Sequence, residues 1–483
     1  MELRGLSGGI YQPLSQRDIE TIHQTSLTIL EQTGIAYEQG LKETAEMLAQ
    51  AGARVDTKQS RIRFPRDLVL AQVNKAPQRV VLYGRRENCD LDLTGHQVHL
   101  GTGGAAVKVL DIDTGQIRST VLEDIYRIGR IVDKLDNIHF YLRPCIPTDI
   151  AANDYDVNCF YACLKSTGKH IMVGLNDENG FHQLLEMASL VAGGRAELTA
   201  KPFVSVVTSN TISPLKMCTQ STRIMQEAIR HGIPVALSSA PMAGSTSPVT
   251  MAGTLAQLHA EQLYGITLCQ LTSPGAPLLY GGIPATANLS TMGYRGGAVE
   301  CGMMNAAIHQ LAHHIEVPNY NSSGLTDSKL PDSQAAYEKS LTTLLAAMAG
   351  SNYIHHAAGM IESMIAVAYE QYIIDDEIIG MTCKVLKGIE VDPEHLALEV
   401  IDSVGPGGNF MTAPHTMTHM RSEYFAGNGI TDSKIRDRWE KEGSRDTRQR
   451  AREMAKAILN CKESPCIPED VDRAIRAKFN ILL

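Results

Sequence analysis

From His99 onward the chain repeats one pattern: a short apolar run, a loop rich in Gly, Ser and Pro, then a stretch whose apolar residues recur at helical spacing. The pattern predicts strands at 98–101, 138–143, 170–174, 203–209, 234–239, 277–282, 318–323 and 353–357. Helices are predicted between them, among them 122–134, 217–230, 255–271 and 333–350. Several of these strands have few polar positions, as strands covered on both faces do. Eight alternating β/α units are the number that closes a TIM (β/α)8 barrel, of class α/β; a doubly wound sheet is the alternative arrangement of the same units.

The flanking segments follow other patterns. Ser15 with Asp18 three residues on reads as a capping box, and Ile19, Ile22, Ser26, Ile29 and Leu30 continue it at helical spacing. A second helix is expected over 41–51, stopped by Gly52, and strands over 79–84, 91–93 and 108–112, the last before the turn Asp113-Thr114-Gly115. Residues 1–97 are therefore read as an α-rich, mixed α/β N-terminal extension, 98–388 as the TIM barrel catalytic domain and 389–483 as a helical C-terminal extension. In the last, Val391-Asp392-Pro393 opens a helix through Val400. The stretch Gly405-Pro406-Gly407-Gly408-Asn409-Phe410 follows, and two Arg/Lys/Glu-rich helices finish the chain. So little of this tail is apolar that it is expected to pack on the barrel.

Composition narrows the function classes. At 483 residues and 43% hydrophobic the chain has material for a large core. A net charge of −9 with no basic block argues against a nucleic-acid partner. No apolar run approaches the roughly 18 residues of a membrane helix. The start, Met1-Glu2-Leu3-Arg4-Gly5-Leu6-Ser7-Gly8-Gly9, has no apolar core of a secretory signal, so a cytoplasmic location is expected. Ten scattered cysteines without a CxxC pair fit a reducing compartment, and Cys159-x3-Cys163 falls in a helical pattern. Aromatic residues are 5%, so an aromatic binding site has to be built from few of them.

On a barrel, function belongs to the loops after the strands. Here these are Arg143-Pro144-Cys145, Thr208-Ser209-Asn210, 238–244, Gly281-Gly282-Ile283-Pro284, Asn321-Ser322-Ser323-Gly324 and His355-His356-Ala357. No predicted strand carries a lysine in its second half, which weakens a Schiff-base aldolase. Nor do paired carboxylates end the strands, which argues against a glycosidase or an enolase-like metal site. A roomy pocket lined by small residues remains. Adjacent strand residues point to opposite faces, so at most one of His355 and His356 is expected to face the barrel axis. His415-x3-His419 has a metal-compatible spacing without an HExxH frame and reads as structural packing under the 405–408 loop. His309 and His313 read as an outer-face helical pair. The Gly101-x-Gly103-Gly104 and Gly405–Gly408 stretches resemble phosphate loops only superficially, since neither continues as GxGxxG. In Gly293-Tyr294-Arg295-Gly296-Gly297 the tyrosine can face a quaternary ammonium and the arginine grip a carboxylate; a solvated turn is the plain alternative.

The segment Asn321-Ser322-Ser323-Gly324-Leu325-Thr326-Asp327-Ser328-Lys329-Leu330-Pro331-Asp332, continuing through Gln334, Ala335, Tyr337, Glu338 and Lys339, resembles the trimethylamine methyltransferase family, as do Gly405–Phe410 and His415-Thr416-x2-His419. The resemblance covers nearly the whole chain. It implies a TIM-barrel enzyme that passes a methyl group from a methylated amine to Co(I) of a corrinoid held by a separate small protein, within methylamine and anaerobic one-carbon metabolism. Archetypal members carry pyrrolysine in the barrel, near the strand end that here reads Asn321 to Gly324, whereas this chain has only standard residues. Pyrrolysine is thought to make a tertiary amine's nitrogen quaternary-like. A member without it resembles the quaternary-amine methyltransferases, for which glycine betaine, giving dimethylglycine, is the simplest substrate.

On that reading Co(I) attacks an N-methyl carbon in line, no general acid is required, and the protein supplies alignment and desolvation. No catalytic residue and no metal ligand is assigned. The expected substrate-binding residues are Arg143, Tyr294, Arg295, Tyr320, Asn321, Ser322, His355 and His356, with Arg295, Arg143 or a histidine as carboxylate hook and Tyr294 or Tyr320 facing the methyl groups. As plain alternatives Tyr320 is core, Asp327 and Lys329 are a surface pair, and Asn321 and Ser322 satisfy backbone groups. No cofactor is expected to bind tightly; the corrinoid (cobalamin) comes on its cognate protein. A homo-oligomer is expected, with neither nucleic acid nor membrane as partner. Two competing functions are a metal-dependent hydrolase or lyase using His415, His419 and His355, and a non-enzymatic quaternary-amine-binding protein.

Overall fold

The computed structural model describes residues 6–462 and 466–483; Met1–Gly5, on which part of the signal-peptide reading rests, lie outside the described residues. Eight parallel strands form a closed barrel: β1 (Gln97–Thr102), β2 (Phe140–Leu142), β3 (His170–Val173), β4 (Val204–Thr208), β5 (Val235–Leu237), β6 (Leu278–Gly282), β7 (Asn319–Ser322) and β8 (Tyr353–Ala358). Phe140 registers with Gly101, Ile171 with Val204, Tyr320 with Tyr353, and Tyr353 with His99, which closes the ring. Every predicted strand is present, and the doubly wound alternative is excluded because β8 pairs with β1.

In the N-terminal extension lie α1 (Gln16–Thr28), α2 (Lys42–Gln50) and α3 (Arg66–Val73). The barrel's own helices are α4 (Leu122–Asp133), α5 (Tyr155–Ser166), α6 (Glu178–Ala192), the short α7 (Arg195–Ala200), α8 (Thr219–Arg230), α9 (Met251–Thr272), α10 (Val299–His314), α11 (Ser333–Ala349) and α12 (Tyr369–Lys387). The Ser15–Asp18 capping box starts α1 as expected. Helix α9 is buried on all sides from Thr254 to Gln270, because α1 and α3 cover the side that faces away from the barrel. The hydroxyl of Ser26 donates to the Ala256 carbonyl at 2.8 Å across that contact. Among the described residues no helix is long and apolar enough to cross a membrane, and no disulfide joins the cysteines.

The C-terminal extension departs from expectation in two places. The helix read from Asp392 through Val400 is broken: Pro393–Leu396 and Leu398–Val404 are separated by Ala397 at φ 49°. The Asp392 cap and Pro393 start a single turn, and the Ala397 N–H closes it on the Pro393 and Glu394 carbonyls. Three helices, Arg436–Lys441, Thr447–Asn460 and Glu469–Lys478, finish the chain instead of two. Ala451 and Ala455 of the second and Ile475 of the third are buried in the main core, so the tail does pack on the barrel.

Candidate active site

At the C-terminal ends of the strands a cavity of about 350 Å³ opens, near the small end of the roughly 300–1,000 Å³ that ligand pockets occupy. Its wall carries Arg143, Thr208, Tyr294, Tyr320, His355 and His356; most of the rest is Gly, Ala, Ser and aliphatic. Arg143 is the one charged side chain on that wall among the described residues.

Arg143 follows directly on β2. Its guanidinium carbon lies 5.7 Å from the centre of the Tyr155 ring, and it has no carboxylate partner among the described residues. Arg295 sits differently. It is on a two-residue strand in which Tyr294 pairs with Ala287 and Arg295 with Thr286, so neighbouring side chains point to opposite faces. Tyr294 lines the cavity, and Arg295 does not; its side chain is 49% exposed, with Nε 4.0 Å from Asp327 Oδ2.

The expectation that only one of His355 and His356 faces the axis is corrected. Both line the cavity. His356 adopts φ 66°, and the register of β8 against β1 slips between Ile354 and Ala358, so the strand's alternation is interrupted at this point. A left-handed conformation at a non-glycine residue is costly and tends to persist where function needs it. The close seat of His356 requires Gly103, where an added Cβ would stand 1.7 Å from the imidazole Cδ2. His356 Nδ1 lies 2.7 Å from the Ser322 hydroxyl and Nε2 3.4 Å from the Gly104 carbonyl. The carbonyl only accepts, so Nε2 carries the proton and Nδ1 accepts from Ser322. Burial holds the His356 pKa down to about 3, keeping the ring neutral.

His355 is 1% exposed, and neither ring nitrogen has a hydrogen-bond partner in the protein. Burial first, and then the neighbouring His356, push its pKa well below the usual value. The ring stacks on Tyr320, and below it Tyr353 and Phe140 continue the column, their centroids 3.6 Å apart. Tyr320 is thus both core and cavity floor. Thr208 Oγ1, on the same wall, is also buried without a partner. A buried polar group left unsatisfied costs about 1–3 kcal/mol. Such groups gathered on one cavity point to a ligand.

The other expected residues serve the frame. Asn321 turns away from the cavity, donating from Nδ2 to the Asn305 carbonyl at 3.0 Å and to Ser351 Oγ at 2.6 Å. Ser322 reaches the site only through His356. Asp327 and Lys329 are not a side-chain pair: Lys329 Nζ donates to the Asp327 backbone carbonyl, while the Asp327 carboxylate accepts from Gly296 and Gly297 N–H and the Ser363 hydroxyl. The 321–339 stretch builds a loop over α11. Glu338 accepts from Thr326 Oγ1 and Asp327 N, and fully buried Lys339 pairs with Asp375 at 3.2 Å.

Thr208 stands among the strand-end loops read from the sequence but not among the expected binding residues, and the Lys339–Asp375 pair, whose partners lie on separate helices, was missed. His415 and His419 lie beside Glu394, His419 Nε2 3.2 Å from its carboxylate, and no metal-capable group among the described residues joins them to His355. His309 is not on an outer face: it is 2% exposed and bonded to Asn319.

The trimethylamine methyltransferase (MTTB) family model matches residues 5–480. The trimethylamine methyltransferase MttB of Desulfitobacterium hafniense (strain DSM 10664 / DCB-2) is 36% identical over 473 residues, 98% of this chain and 93% of that one. The glycine betaine methyltransferase of D. hafniense (strain Y51) is 31% identical over 468 residues, 97% of this chain and 96% of that one. Among solved structures, the monomethylamine methyltransferase MtmB of Methanosarcina barkeri shares the fold at a TM-score of 0.51 and 12% identity, covering 95% of this chain and 96% of that one. With a matching family model over almost its entire length, and a closed barrel with its cavity at the mouth, the chain belongs to the trimethylamine methyltransferase family.

Proposed function

We propose that the protein transfers a methyl group from a quaternary amine bearing a carboxylate, with glycine betaine the best fit, to the Co(I) corrinoid of a partner protein. The observation that carries the reading is the cavity's content. It holds a lone arginine without a carboxylate partner, two unpartnered imidazole nitrogens, a free threonine hydroxyl and otherwise neutral walls. A guanidinium matches a carboxylate with two parallel hydrogen bonds. It disfavours a cation that brings no anionic group. Tyr294, on the same wall, supplies the aromatic surface on which a quaternary ammonium rests, since the faces of Tyr320 are taken by His355 and Tyr353.

The corrinoid, arriving as a substrate, supplies a nucleophile that takes the methyl carbon as dimethylglycine leaves. The chain's part is to hold the donor. Arg143 and His355 fix the carboxylate end, which points a methyl group at the mouth. The small residues there, Gly104, Ala105, Gly174, Ser209 and Ala240, leave room for a flat macrocycle. The ammonium charge disperses as the C–N bond breaks, so walls less polar than water favour the transition state. No proton has to reach the leaving nitrogen, in keeping with histidines held neutral by burial.

The test is a panel of glycine betaine, carnitine, proline betaine, choline and trimethylamine, given to the purified chain with Co(I) cobalamin or its corrinoid protein and followed by the appearance of methyl-Co(III). Carboxylate-bearing quaternary amines should turn over, choline far more slowly, and trimethylamine not at all. Turnover of trimethylamine as fast as betaine overturns the substrate assignment. Betaine binding without methyl-cobalt, even with the corrinoid protein present, favours the binding-protein alternative.

A further inference from the structure

At the end of the barrel opposite the cavity, three imidazoles meet. His96 stands in the turn just before β1; His309 and His313 lie one turn apart at the C-terminal end of α10. One ring nitrogen from each falls within 4.8 Å of the other two, beside a cavity of about 230 Å³ that His309, His313, Glu316, Pro318 and Asn352 help to line. We propose that His96, His309 and His313 bind a late first-row divalent cation, zinc(II) by preference, which staples the N-terminal extension to the underside of the barrel.

The tautomer of His309 supports the assignment. Its Nδ1 is 2.9 Å from Asn319 Oδ1, an oxygen that also accepts from the Asn352 N–H at 2.9 Å. Oδ1 is an acceptor only, so His309 Nδ1 carries the hydrogen and Nε2 presents a lone pair. This is the outer-shell bond that metal-ligating histidines make. His309 Nε2 and His96 Nδ1 are 2.8 Å apart. Ligands at about 2.0–2.1 Å in a tetrahedron stand roughly 3.3 Å apart, so the ion would replace the hydrogen bond between these two nitrogens, part them by about half an ångström and draw in the His313 nitrogen, which lies within 4.8 Å. Three imidazoles leave a fourth position for water.

The other clusters of this kind among the described residues are already occupied by their own contacts. Glu227, between His182 and His231, pairs with Arg230 at 2.6 Å, and Asp392, beside Glu390 and His395, caps a helix. An ion at the triad is structural and lies far from the chemistry, so metal content alone does not argue for a hydrolase.

The experiment uses the full chain stripped with EDTA and titrated with Co(II), then with Zn(II) in competition. One equivalent of Co(II) should give the visible d–d bands of a tetrahedral nitrogen site, Zn(II) should displace it, and the melting temperature should rise with either ion. His313→Ala, on an exposed side chain, should abolish the bands and the shift, whereas His231→Ala should leave both intact. The proposal is overturned if the chain takes up no Co(II) with tetrahedral bands, or if His313→Ala takes it up as the unmodified chain does.

Discussion

The imidazole of His355 lies flat on the ring of Tyr320, centroids 4.0 Å apart and planes 12° apart, with both its nitrogens unpartnered inside the protein. The stack fixes the ring's plane, and the missing partners leave its N–H available to an anion. His355→Phe keeps a flat ring on Tyr320 and removes the donor. Hydrogen bonds to charged groups are worth about 1.5–3 kcal/mol, so KM for glycine betaine should rise roughly 10- to 100-fold with kcat little changed. The melting temperature should hold or rise, because two buried unsatisfied nitrogens are gone. Steady-state kinetics beside a thermal melt checks both; unchanged KM removes His355 from the carboxylate site.

Arg143 and Arg295 offer the same group from opposite sides of the cavity wall. Only Arg143 lines the space, while Arg295 stands toward solvent near Asp327. Arg143→Ala should raise KM for betaine by at least about a hundredfold, as loss of a bidentate charged contact does. Arg143→Lys should recover part of it, since lysine offers a point charge without the fork. Arg295→Ala should change KM less than about threefold, as expected for an exposed pair. The reverse ranking would move the hook to the Tyr294–Arg295 strand.

Gly103 is the floor against which His356 sits. A methyl group there would stand 1.7 Å from the imidazole Cδ2, so the ring or the β8 bulge has to move. Overpacking of this kind costs about 1–3 kcal/mol. Gly103→Ala should therefore lower the melting temperature and cut kcat/KM, while Gly95→Ala, where nothing lies within 4 Å of the added carbon but φ is 52°, should lower stability with kinetics intact. Equal kinetics in the two variants would detach His356 from the reaction.

The barrel was legible in the sequence because each unit announces itself: buried strands are short apolar runs, and Gly, Ser and Asn mark their ends. Strand ends also pointed to Arg143, Tyr320 and the His355–His356 pair. What the sequence hid depends on departures from regularity or on distance along the chain. Strict alternation admits one inward histidine, and only the left-handed His356 with its register slip brings in both. Arg295 and Tyr294 are adjacent in sequence, so which faces inward depends on pairing with Ala287 and Thr286. His309 and His313 share a helical spacing, yet His309 bonds through one ring nitrogen to Asn319, ten residues on, and through the other meets His96 from two hundred residues upstream. Lys339 and Asp375 meet from separate helices with both side chains fully buried.

Buried neutral histidines set the protein's response to acid. Burial lowers the pKa of His99 and His170 to about 4 and of His139 and His356 to about 3, from an ordinary 6.5. In the unfolded chain each takes a proton as pH falls below about 6.5, while the folded form resists until its own pKa is reached. The stability they contribute is therefore complete above about pH 6.5 and drains away below it, by up to about 1.4 kcal/mol per pH unit for each. Asp375 acts in the opposite sense. Burial pushes it up to about 6 from 3.8, so the folded state binds its proton first between those values and gains as pH falls. Asp156, Glu261 and Asp376 are likewise raised by burial, but His23 and His309 are also lowered, to about 4 and about 3, so the buried histidines still outnumber the buried carboxylates and the trend holds. Thermal melts from about pH 8 to pH 4 should show a plateau above pH 7 and a steep decline below pH 6. His139→Gln, whose side chain cannot charge, should shallow that decline by about one proton's worth. A melting temperature level down to about pH 4.5 would mean that these imidazoles are already protonated in the fold, and with them the picture of a neutral cavity would have to be abandoned.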